Sequence, residues 1–218
     1  MSPKSEFLPA ALGAYVEAHA TPADGLLREL AEYNAGLGRV SSMQISASQG
    51  AFMTLLARVV APRFAVEVGT FTGYSSICVA RALAPDGRLL CCDVSEEWTA
   101  IARKYWERAA VADRIELRLA PAAETLRALP TDPVIDWAFI DADKTGYRTY
   151  WDEIVPRLRP GGLVLVDNVL WSGKVVDETV DDADTVALRE FNDHVLADER
   201  VEHVLLPVAD GLTVARKR

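Results

Sequence analysis

From Arg63 onward, short apolar runs of strand length alternate with longer stretches of helical periodicity. The strand-like runs are 64–68, 88–92, 115–119, 137–140 and 163–166, and the helical stretches between them are 73–83, 96–110, 121–129 and 144–158. Such strand–helix–strand units place successive strands parallel and cover both faces of one sheet, because a parallel pair cannot be joined by a hairpin. The chain closes differently. A helix over 184–197 precedes runs at 201–206 and 212–215, which only Pro207 to Gly211 separate. So short a link forces the last strand antiparallel to its predecessor. The expected fold is α/β: a doubly wound, mostly parallel seven-stranded sheet with an antiparallel last strand.

Residues 1–60 read as a helical extension. Phe7, Leu8, Ala11, Leu12, Tyr15 and Val16 recur at helical spacing, as do Leu26, Leu27, Leu30, Tyr33 and Leu37. A third helix opens at Ser48 and stops at Pro62, after a polar connector over 40–46. With 218 residues and 50% hydrophobic content, the chain can bury a full core, so one domain over 1–218 is expected, with 61–218 as its α/β core.

A net charge of -9, from 32 acidic and 23 basic residues, repels phosphate backbones and anionic lipid surfaces. Neither nucleic acid nor membrane is an expected partner; a small molecule is. Met1 to Glu6 show no basic stretch leading into an apolar one, and nowhere do the roughly 18 consecutive apolar residues of a membrane span occur. A cytoplasmic location is expected. Cys78, Cys91 and Cys92 form no CxxC pair, and His19, His194 and His203 are scattered, so the cysteines are expected to pack as small apolar residues.

Two features carry chemistry. The first is Glu67-Val68-Gly69-Thr70-Phe71-Thr72-Gly73-Tyr74-Ser75 at the first strand-to-helix turn, with Asp93 at the tip of the second strand, where a ribose hydroxyl pair would be held. The dinucleotide pattern G-x-G-x-x-G is not met, and Glu67 would repel a pyrophosphate while tolerating a zwitterionic or cationic ligand. This favours S-adenosylmethionine over NAD. The alternative is that Gly69 and Gly73 only make a tight turn and Asp93 only caps the following helix.

The second feature is a pair of acidic strand tips, Asp141 after 137–140 and Asp167-Asn168 after 163–166. On neighbouring parallel strands they converge as three hard oxygen donors suited to a divalent cation; otherwise they are solvated loop residues or helix caps. Lys144 can reach back over the same tip as a general base, or else pair on the surface with Asp143. On an octahedral ion, three protein oxygens leave room for both oxygens of a catechol.

Met43-Gln44-Ile45-Ser46, the glycine loop, Phe139 to Lys144, Asp167 to Gly173 and Leu206 to Leu212, in that order, resemble the cation-dependent O-methyltransferases of the caffeoyl-CoA and catechol type. The resemblance implies a Rossmann-like methyltransferase fold. Asp141, Asp167 and Asn168 would hold Mg²⁺, or another divalent ion such as Mn²⁺ or Ca²⁺, and Lys144 would deprotonate the acceptor. It also implies S-adenosylmethionine contacts from Met43, Ile45, Glu67, Gly69, Thr70 and Ser75, with Asp93 on the ribose, Ala122 beside the adenine, and Asp141 facing both metal and cofactor. A homodimer is implied as well. Two departures stand out: Ile45 replaces a hydroxyl residue of plant members, and Ala120-Pro121-Ala122-Ala123 lacks the usual glycine.

The expected activity is therefore methylation of a catechol-like small phenol. The only cations in residues 1–40, Lys4, Arg28 and Arg39, form no cluster for coenzyme A phosphates, which disfavours a caffeoyl-CoA-type thioester. Competing readings are a metal-independent methyltransferase, an NAD-linked oxidoreductase and a non-catalytic nucleoside-binding protein. A mere sensor would have no use for base and ion together.

Overall fold

Residues 7–218 are described by a computed structural model; Met1 to Glu6, including Lys4 and the leader reading, lie outside them. Three helices come first: α1 (Ala10–His19), α2 (Gly25–Ala35) and α3 (Ala47–Val60). Asp24 caps α2 by accepting from Leu27 N, and Ser46 caps α3 by accepting from Gln49 N at 3.1 Å. The connector expected at 40–46 is mostly a 3-10 turn, Gly38–Met43, which carries Met43, Gln44 and Ile45 over the sheet.

The α/β part follows as β1 (Phe64–Val68), α4 (Tyr74–Ala80), β2 (Arg88–Asp93), α5 (Glu96–Arg108), β3 (Ile115–Leu119) and α6 (Ala122–Arg127). It continues through β4 (Ile135–Ile140), α7 (Tyr147–Ile154), β5 (Leu158–Asp167), α8 (Ala183–Leu196), β6 (Val201–Leu206) and β7 (Leu212–Lys217). The sheet order is β3-β2-β1-β4-β5-β7-β6, parallel from β3 through β5. Strand β7 pairs antiparallel with both β5 and β6, which places the closing hairpin edgewise beside β5.

Side chains of successive strand residues leave on opposite faces and build two cores. Ala65, Cys91, Trp137 and Phe139 pack under α2 to α5, while Val66, Cys92, Ala138 and Ile140 pack under α6 to α8. Every residue of β4 is buried, as a central strand covered on both sides requires. Burial of Trp137, Phe139 or Ile140 contributes about 1.5–3 kcal/mol each. All three cysteines are buried and free, and Cys91 and Cys92 face opposite cores.

The largest departure from the expected boundaries lies between α7 and β5. Helix 144–158 ends at Ile154, and β5 begins at Leu158, five residues before the expected run. Pro160-Gly161-Gly162 reads as a turn, yet the strand continues through it with a shift of register against Ile135 and Trp137. Gly161, at φ 81°, supplies the left-handed residue that the irregularity needs.

Candidate active site

Strand order reverses between β1 and β4, and a parallel sheet opens a crevice at the carboxyl ends of its strands at such a point. The crevice is a cavity of about 920 Å³. Met43, Ile45, Gly69, Thr70, Ser75, Asp93, Ala122, Asp141, Lys144, Asp167 and Asn168 all line it. The one site residue expected there but absent from the wall is Glu67.

The turn after β1 is held by its neighbours. Gly69 N donates to Cys92 O at 2.9 Å, and Asp141 N donates to Val68 O at 2.8 Å. Gly69 has φ 88°, and a Cβ there would lie 1.9 Å from the Asp141 carbonyl oxygen. Gly73 has φ 87°, and its Cβ would collide with Ala102 and Trp106 of α5. These glycines let protein approach protein, where the sequence suggested approach to a ligand. Asp93 pins the same turn, accepting from Thr70 N at 2.8 Å, Phe71 N at 3.0 Å and Ser95 N at 2.8 Å.

Glu67 sits beneath this turn, 1% exposed. Its Oε1 accepts from the Cys91 thiol at 3.6 Å, and Oε2 has no hydrogen-bond partner. Burial pushes its carboxyl up to about 8. The sequence reading places a Glu67 charge against a pyrophosphate, whereas the side chain lies off the cavity wall.

The strand tips of β4 and β5 converge on Lys144. Its ammonium group donates to Asp141 Oδ1 at 3.2 Å, Asn168 Oδ1 at 2.7 Å and the Tyr147 hydroxyl at 2.6 Å, and the residue is 7% exposed. A surface pair with Asp143 is excluded; Asp143 instead accepts from the Tyr150 hydroxyl at 2.5 Å. Asp167, 3% exposed, accepts from Gln49 Nε2 at 2.8 Å and from Asn168 N at 2.8 Å. Its carboxyl is raised above the usual carboxylate range, first by burial and then by the nearby Asp141 charge.

Two site residues escaped the sequence reading. Gln49 reaches Asp167 from the first turn of α3, and Tyr147 donates to the Asp167 carbonyl at 3.0 Å while accepting from Lys144. Polar residues at otherwise apolar helix positions are the only signal either gives. Trp171, with φ 48°, forms a wall on the other side, its ring 5.5 Å from Lys144 Nζ.

A family model described as O-methyltransferase matches residues 17–218. The chain belongs to the O-methyltransferase family. This O-methyltransferase is 42% identical over 179 residues to "Probable caffeoyl-CoA O-methyltransferase 2" of Dictyostelium discoideum, covering 80% of this chain and 78% of that protein. It is 37% identical over 176 residues to "Catechol O-methyltransferase domain-containing protein 1" of Mus musculus, covering 79% and 67%. Among solved structures, the Bacillus cereus O-methyltransferase in complex with SAH superposes with a TM-score of 0.86 at 33% identity, covering 95% and 97% of the two chains. TomG from Streptomyces achromogenes, in complex with SAM, gives 0.86 at 30%, covering 95% and 96%. Among the described residues, no helix of this enzyme is long and apolar enough to cross a membrane.

Proposed function

We propose that this O-methyltransferase moves the methyl group of S-adenosylmethionine to one hydroxyl of a vicinal, catechol-like diphenol, assisted by a divalent cation. The observation that carries this reading is the convergence of Asp141, Asn168 and buried Lys144 at the strand tips, on the cavity that also holds the glycine turn. The SAH and SAM in the two superposed structures support the donor.

The donor set fits an ion. Among the described residues no three His, Cys, Asp or Glu side chains cluster for a metal; the third donor here is the Asn168 amide oxygen. Asp141 and Asp167 are hard oxygen donors, burial and then the Asp141 charge raise the Asp167 carboxyl, and among the described residues Lys144 is the only cation lining their cavity. Asp141, Asp167 and Asn168 would hold Mg²⁺ or a similar ion, such as Mn²⁺ or Ca²⁺. When bound, S-adenosylmethionine supplies an electrophilic methyl and the cation lowers the pKa of the acceptor hydroxyl.

The protein's own groups do the rest. As the neutral amine, Lys144 Nζ takes up the hydroxyl proton and becomes the ammonium, held at the reacting edge by Asp141, Asn168 and Tyr147. Asp93 would receive the ribose hydroxyls, Ala122 would flank the adenine, and Met43, Ile45, Gly69, Thr70 and Ser75, which line the same cavity, would hold the donor. Glu67, off the wall, supports that turn from below. Asp141 faces both donor and ion. Placing donor and acceptor in line supplies most of the rate, since direct displacement needs no covalent protein intermediate.

Labelled S-adenosylmethionine with a catechol panel, with and without EDTA, tests the reading. Activity is expected to need the cation, and to fall about 10²-fold or more in both Asp167→Ala and Lys144→Ala. EDTA-insensitive turnover, or an unimpaired Asp167→Ala enzyme, would refute the ligand assignment. The name of the Dictyostelium relative favours a second acceptor, a caffeoyl-CoA-type thioester, which the same panel includes. A homodimer is proposed in addition. Exposed Leu12, Tyr15 and Val16 of α1 and Leu55 and Val59 of α3 support it, and sedimentation velocity decides it.

A further inference from the structure

Asn34, on α2, lies outside the cavity wall and takes no part in the chemistry above, yet it is 1% exposed. One amide nitrogen serves two distant segments: Nδ2 donates to Gln44 Oε1 at 2.6 Å and to Thr72 Oγ1 at 2.7 Å. Gln44 in turn donates from Nε2 to Ile45 O at 3.3 Å. Gln44 and Ile45 belong to the connector that lines the cavity from above, whereas Thr72 belongs to the glycine turn that lines it from the sheet side. The other amide atom, Asn34 Oδ1, is buried with no partner. A buried carbonyl without a donor costs stability, so an apolar residue would serve α2 better if packing alone were at stake.

Helix α2 is already fastened to the core without Asn34. Asp24 pairs with Arg81 at 2.7 Å, and Glu29 makes a two-pronged pair with Arg108 of α5 at 2.6 Å on each arm. What Asn34 adds is a tie between the connector and the turn. We propose that Asn34 is a positioning residue that, through Gln44, latches the connector over residues 38–45 to the glycine turn, so that the donor meets a preassembled wall. The inference rests on the donor site assigned above. Its energetic consequence follows from population: donor affinity is reduced by the fraction of molecules whose connector is out of place.

Arg39 is exposed within the connector and is its only Lys or Arg, so tryptic cleavage after it reports how often the connector opens. In unliganded protein, cleavage at Arg39 is expected to be about 10-fold faster in Asn34→Ala than in wild type. Thr72→Val keeps the shape and removes the acceptor; it should behave like Asn34→Ala, and serves if that variant folds poorly. Thr72→Ser, which keeps the hydroxyl, should be cleaved at a rate closer to wild type than to Thr72→Val. The dissociation constant for SAH, measured by calorimetry, should rise about 10-fold in Asn34→Ala, with kcat at saturating donor changed by less than about 2-fold. A general loss of packing would move kcat and melting temperature without this split. Arg39 cleavage unchanged in both Asn34→Ala and Thr72→Val, or faster cleavage with unaltered SAH affinity, overturns the latch. Wild-type protein that binds no SAH would remove the donor-site assignment instead, while the unliganded cleavage rates still decide the latch.

Discussion

At Gly69 the absent side chain is what lets β1 and β4 present their tips side by side. Alanine there would need a left-handed backbone at φ 88° and would push its Cβ into the Asp141 carbonyl, a backbone atom that cannot swing aside. Gly69→Ala is expected to destabilise the fold by about 3 kcal/mol or more. For a chain of this size that lowers the melting temperature by roughly 6–12 °C in calorimetry. Gly38 is the internal comparison: its φ is 71°, but nothing lies within 4 Å of an added Cβ. Gly38→Ala carries only the left-handed backbone cost of about 1–2 kcal/mol. Equal melting temperatures for the two variants would show that steric contact with Asp141 does not matter. The same close approach explains why the glycine motif was legible in the sequence while its reason was not, since Asp141 is 72 positions away and only the sheet brings it near.

Among the elements, α7 and α8 are fixed to the sheet partly through one carboxylate. Asp198, just after α8, accepts from Trp151 Nε1 of α7 at 2.8 Å and pairs with Arg200 at 2.7 Å. The Arg200 hydrogen bonds, followed by that of Trp151, hold its carboxyl well below the usual carboxylate range despite the opposing effect of burial. A depressed folded-state pKa contributes stability that is fully present above the unfolded value of about 3.9 and is lost as pH falls through the folded one. In urea titrations, the stability difference between wild type and Asp198→Asn is therefore expected to stay constant from pH 7 to about pH 5 and to shrink below about pH 4. A difference that does not vary with pH would sink the assignment. Helix α7 also shows where element boundaries escaped notice: Pro160 and two glycines mimic a turn, but pairing with β4 keeps that segment in the sheet.

For the whole molecule, the net charge of -9 is repeated inside the cavity. Among the described residues, Asp93, Asp141, Asp143, Asp167 and Asp210 line it against Lys144, five acids and one base. A field of that sign opposes an acceptor that carries several phosphate charges and tolerates a neutral phenol. kcat/KM for a neutral catechol is expected to exceed that for a CoA thioester of a catechol acid by about 10-fold or more at low salt. Raising ionic strength should narrow the ratio by screening the thioester's repulsion. A thioester preferred at low salt would overturn the catechol assignment while leaving methyl transfer intact.

Local pattern alone determined the alternation of strands and helices, the antiparallel ending and the acidic strand tips, because hydrophobic period and turn residues are written in consecutive positions. It also marked Lys144, Asp141, Asp167 and Asn168, which stand directly beside the strands that carry them. Only the tertiary structure decided that Lys144 is buried between those tips, that Gln49 and Tyr147 join them, and that Glu67 is buried beneath the glycine turn. Those facts depend on which strands are neighbours and on how much water a packed helix excludes, and both are set by segments apart in the sequence, from the 20 positions between Tyr147 and Asp167 to the 118 between Gln49 and Asp167.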